Sequence, residues 1–143
     1  MRMTFRITGH IHAIILIALL GVTTVSFSSR QNSDLPQGIV TALKEGNAAA
    51  LSQYFNPNLE LVMPAAQDDI YSKQQAELIV RDFFTKYVPL NFTILHQGGP
   101  AESPYAIGTL GTKGGNFRVT IYIKLRDSKP FIHQLRFELE NAD

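Results

Sequence analysis

Ser72-Lys-Gln-Gln-Ala-Glu-Leu-Ile-Val-Arg-Asp-Phe-Phe-Thr-Lys-Tyr-Val-Pro89 is the stretch that sorts this chain into a fold class. Ala76, Ile79, Val80, Phe83, Phe84 and Tyr87 recur at helical spacing and form one apolar face. Ser72 and Gln75 have the spacing of a capping box, and Pro89 cannot continue a helix. The stretch therefore predicts a helix with one buried side, which needs a partner surface.

That surface is predicted on the C-terminal side, where Asn91–Gln97, Pro104–Thr112, Asn116–Arg126 and Phe131–Glu140 read as strands. Lys113-Gly-Gly-Asn116 and Asp127-Ser-Lys-Pro130 are turns, so the strands are antiparallel neighbours. Strict alternation places Phe117, Val119, Ile121, Ile123 and Leu125 on one face and Arg118, Thr120, Tyr122, Lys124 and Arg126 on the other. In the last strand it groups Phe131, His133, Leu135, Phe137 and Leu139 against Ile132, Gln134, Arg136, Glu138 and Glu140.

Toward the N-terminus, Asp34 is expected to cap a first helix with Ile39, Val40 and Leu43 on its buried stripe, ended by Gly46. Asn47 is expected to cap a second helix, Ala48–Phe55, stopped by Asn56-Pro57-Asn58. Leu59–Met63 reads as a strand, Ala65–Asp69 as a loop and Ile70–Tyr71 as a short returning strand. The order α-α-β-(β)-α-β-β-β-β is α+β, with helices on one face of an antiparallel sheet.

The chain has 143 residues and no cysteine. Arg2 and Arg6 precede an uncharged, mostly apolar run, Ala13–Val25, followed by Ser26, Ser28 and Ser29. Basic start, apolar middle and small-residue exit are the parts of a secretory signal. Residues 1–28 are expected to be removed after Ser28, a cut after Ser26 being nearly as good; an uncleaved anchor is the alternative. Residues 29–34 then form a disordered leader and 35–143 one domain in the periplasm or outside the cell. Without cysteine there is no disulfide, thiolate nucleophile or lipid anchor. Losing Arg2 and Arg6 lowers the Lys+Arg count from 13 to 11 against 12 acids. A domain so close to neutral has no electrostatic reason to bind nucleic acid or an anionic membrane.

The run Gly46-Asn-Ala-Ala-Ala-Leu-Ser-Gln-Tyr-Phe55 resembles the second-helix signature of the nuclear-transport-factor-2-like, or SnoaL-like, cone fold. Tyr71-Ser-Lys-Gln-Gln-Ala-Glu77, Asp82-Phe-Phe84, Ile94-Leu-His96, Tyr105-Ala-Ile-Gly-Thr-Leu110, Phe117-Arg-Val119 and Gln134-Leu-Arg136 resemble an exported bacterial domain of unknown function, family 4783. The resemblance spans Leu35–Glu140. It implies a curved sheet wrapped around three N-terminal helices. It does not imply an activity, because the fold hosts isomerases, dehydratases, cyclases and plain binding modules.

Enzymes of this fold that resemble ketosteroid isomerase carry an aspartate base late in the first strand. Here the matching position is Met63, whose thioether takes no proton at neutral pH. Glu60 lies on the opposite face. Asp68 and Asp69 point apart as sequence neighbours and suit a solvated loop. His96 and His133 share the apolar parity of their strands, but two strands should separate them by about 14 Å, too far for one metal ion. No glycine-rich phosphate loop precedes a helix.

The expectation is an exported, non-catalytic module without cofactor or metal. A small apolar ligand would meet Met63, His133, Tyr54, Phe83 and Phe117 in the cone pocket. A protein partner, or a second copy, would meet Arg118, Tyr122, Lys124 and Arg136 on the open sheet face. The alternative is a diverged isomerase- or dehydratase-like enzyme using His133.

Overall fold

The computed structural model describes residues 34–64, 66 and 68–141. The expected signal and the leader up to residue 33 lie outside them. Helix α1 (Gln37–Glu45) starts behind Pro36 without a side-chain cap. Asp34 does not cap it. Instead Gln97 holds the lead-in: its Nε2 donates to Asp34 Oδ1 at 2.8 Å, and its Oε1 accepts from Leu35 N at 3.2 Å. Gly46, at φ 64°, ends the helix in the left-handed region, and Asn47 N donates back to Ala42 O at 2.9 Å. This is the geometry of a glycine C-cap.

Asn47 Oδ1 accepts from Ala50 N at 2.9 Å and opens α2 (Ala48–Ser52). The helix is shorter than the sequence suggests. Phe55 is buried and begins strand β1 (Phe55–Val62), paired with Ile132. Pro57 falls where the register shifts between Phe55 and Glu60, so its missing N–H leaves no ladder bond unmade. Strand β2 (Asp69–Ser72) returns antiparallel to β1.

Helix α3 (Lys73–Lys86) carries the complete capping box between Ser72 and Gln75. Strands β3 (Pro89–Gly98), β4 (Tyr105–Thr112), β5 (Gly115–Arg126) and β6 (Lys129–Leu139) follow as an antiparallel meander. The sheet order is β2-β1-β6-β5-β4-β3, and β1 lies parallel to β6. Sequence alternation did not reveal this pairing of an early strand with the last. Among the described residues no helix is long and apolar enough to cross a membrane.

The inner face of the sheet carries Leu59, Leu61, Phe92, Leu110, Phe117, Val119, Ile121, Leu135 and Phe137, all buried with Ile39, Leu43, Leu51, Val80, Phe83 and Phe84 of the helices. Phe83 centres the contact, with ring centroids 5.0 Å from Phe117 and 4.7 Å from Phe137. Ser52 Oγ donates to Glu77 Oε2 at 2.9 Å and ties α2 to α3.

Bulges in β6 and β3 break the alternation expected for three residues. Tyr122 pairs with Gln134 and Ile123 with Ile132, leaving His133 as the extra residue of β6. Ile132, not Phe131, therefore joins Leu135 and Phe137 in the core. Phe131 leaves that face and takes the Arg126 guanidinium 5.6 Å over its ring. The second bulge lies between Ile94 and His96, where Leu95 is extra. It turns His96, expected with the apolar residues of its strand, toward the outer face beside Ile107 and into solvent.

Candidate functional site

The five residues expected around a pocket are not brought together as one lining. Phe83 and Phe117 fill the core ring against ring, with Tyr87 at 4.7 Å from Phe117. Met63 is 8% exposed and belongs to the same cluster. Tyr54 packs at its margin, its hydroxyl so close to α1 that a Cβ at Gly38 would come within 2.0 Å. His133 is held at the bulge, where Lys124 and Glu60 act on it electrostatically. Burial, followed by the Lys124 charge, lowers its pKa below the usual histidine value, while Glu60 works in the other direction. The imidazole is therefore neutral at neutral pH. Both charged neighbours stand on the outer side of the sheet.

The four residues expected at a partner face do share one surface. Arg118, Tyr122 and Lys124 alternate along β5, and Arg136 of β6 pairs with Thr120 between the first two. Arg118 Nε lies 3.8 Å from Glu140 Oε1, and an Arg136 guanidinium nitrogen 3.4 Å from Glu138 Oε1. A polar and aromatic stripe crosses five strands of this face. Gln134 Nε2 donates to Glu60 Oε1 at 2.7 Å; Tyr122 follows on β5; its ring is 6.1 Å from Tyr105; Tyr105 Oη is 2.9 Å from His96 Nε2. The His96–Tyr105 pair was missed because alternation alone sends His96 inward. The glycine-rich end of β3, Gln97-Gly-Gly99, was the available sign of a break in its alternation.

The remaining acids expected to be solvated are so. Glu60, Asp68 and Asp69 are exposed, and Asp69 Oδ1 accepts from its neighbour Ile70 N at 2.7 Å. His96 and His133 lie on β3 and β6, with β4 and β5 between them. Among the described residues no three histidine or acidic side chains are placed to hold a metal ion.

A cleft of about 500 Å3 opens away from this stripe, between the lead-in to α1, the β3–β4 loop and the β5–β6 turn. Ile123 and Leu125 form its floor, and Asp34, Glu102 and Asp127 stand at its edge.

The family model for a domain of unknown function, DUF4783, matches residues 36–138. The chain belongs to this family. A DUF4783 protein from Bacteroides ovatus is 36% identical, with a TM-score of 0.72 over 77% of this chain and 99% of that one. One from Bacteroides uniformis is 32% identical, with a TM-score of 0.71 over 76% and 100%. A nuclear-transport-factor-2-like protein of unknown function from Silicibacter pomeroyi shares the fold at 14% identity, with a TM-score of 0.56 over 73% and 88%. No curated protein matches the chain. This DUF4783 domain thus has the nuclear-transport-factor-2-like cone, in which the described helices pack on the inside of the sheet.

Proposed function

We propose that this DUF4783 domain is a non-catalytic binding module of the cell envelope that docks a protein partner on its outer sheet face. One observation carries the reading: the three described helices pack on the inner face, leaving Tyr122, Arg118, Lys124 and Arg136 open on the other. Tyrosine and arginine are enriched where proteins bind one another, because each combines a large contact area with a polar end. The ion pairs of this face are exposed, and such pairs are worth little in water. Arg118 and Arg136 can therefore exchange Glu140 and Glu138 for a partner's carboxylates at small cost. Both signs of charge occur side by side, so a second copy related by a two-fold axis is the simplest partner.

The export reading rests on Arg2, Arg6 and the apolar run behind them. The test is photo-crosslinking in intact cells expressing the full chain. A crosslinker replacing Tyr122 is expected to give a discrete protein adduct, and one replacing the exposed Asp82 on α3 is not. Equal labelling from both positions, or none from Tyr122, would overturn the proposal. Addition of Arg136→Glu should weaken the Tyr122 adduct about tenfold, the scale of one good interface contact.

A further inference from the structure

We propose that the cleft beside the β5–β6 turn binds an aliphatic polyamine, a linear organic polycation with hydrocarbon segments between its ammonium groups. This site is separate from the outer face and does not depend on its role. The cleft has two chemical parts. Its floor is apolar: Ile123 is buried, Leu125 keeps 38% of its surface open, and prolines 36, 104 and 130 stiffen the sides. Its edge is acidic: Asp34, Glu102 and Asp127 all line it, with no basic residue among the described lining. At about 500 Å3 it has the size of a small-molecule site.

The backbone that carries each acid is held in place by the fold. Gln97 fixes Asp34. The backbone of the β3–β4 loop is bonded to β5 on both sides of Lys124: Ile123 N donates to Pro104 O at 2.9 Å and Leu125 N to Glu102 O at 3.0 Å. Asp127 occupies a two-residue turn with Ser128, at φ 49° and 62°. Such preorganisation lowers the ordering cost of binding.

Two cations of the β5–β6 turn are directed elsewhere. Arg126 and Lys129 form a cross-strand pair and so share the outer face. The Arg126 guanidinium bonds Asn56 and covers Phe131. Among the described residues, Glu102 and Asp127 enter no ion pair. The acids are also too spread out to form a metal site. Dispersed negative charge above an apolar floor suits an extended cation with a hydrocarbon spine better than a compact inorganic one.

Calorimetric titration of the full-length chain, as processed by the cell that expresses it, with spermidine provides the test. Saturable one-to-one binding is expected, weakened about threefold by Glu102→Gln or Asp127→Asn and about tenfold by both, as suits exposed charge pairs. Asparagine tolerates the left-handed backbone of position 127, and unchanged melting of each variant verifies folding. Leu125→Ser, which keeps every charge, should also weaken spermidine. Absence of saturable binding, indifference to the double variant, or displacement of spermidine by an equal concentration of magnesium would each overturn the proposal. So would a Leu125→Ser variant that binds as tightly as the parent, because the floor would then contribute nothing.

Discussion

At the scale of single residues, His133 links local structure to pH. Its folded-state pKa lies below the unfolded value, chiefly through burial and then through Lys124, with Glu60 opposing. Protonation therefore favours the unfolded chain. The stability contributed by the neutral ring is present above the ordinary histidine pKa and is lost as pH falls through the lowered folded value. Melting temperature should drop between about pH 7 and 5, and His133→Gln should flatten that part of the profile. An identical slope in parent and variant would assign the effect to other groups. Gly46 makes a second test. A Cβ there would sit at φ 64° and meet Pro89 Cδ at 2.9 Å. Gly46→Ala is expected to cost about 1–3 kcal/mol in urea unfolding, from left-handed strain plus the displaced start of β3.

At the scale of elements, most boundaries followed from periodicity and punctuation. The Ser72 and Gln75 cap, the apolar stripe from Ala76 to Phe84 and the turns of the meander all carry local signals strong enough to read. Failures occurred where a distant partner overrode the local pattern. Tyr54 and Phe55 fit the helical spacing of Leu51, yet Phe55 is claimed by Ile132, far along the chain. Alternation failed for Phe131, His133 and His96 because a bulge inserts one residue and reverses the sides beyond it. The shared face of Arg118, Tyr122 and Lys124 was legible, since β5 is regular from Phe117 to Tyr122; the cleft was not, since three separate loops build it. Two variants measure the element that was read best. Ser72→Ala should cost about 1 kcal/mol as a lost cap, whereas Phe83→Ala should cost about 3–5 kcal/mol by emptying the space between Phe117 and Phe137. If the two losses were equal, the aromatic cluster would not be the main anchor of α3.

At the scale of the whole molecule, near-neutral net charge argues against any long-range field, so the binding proposed for the outer face and the cleft would rest on local patches. Export is tested at the same scale. Sequencing the N-terminus of the protein recovered from expressing cells should give Ser29 as its first residue; an intact Met1 would mean that the apolar run is kept as a tether. Strand order has a further bearing on folding. β6 is interior to the sheet and joins β1 on one side to β5 on the other. Without it, neither half of the sheet can close over the aromatic rings. By the same logic, a premature stop before Lys129 would not trim the domain but leave one chain with two open-edged parts of a sheet, ready material for proteolysis or aggregation.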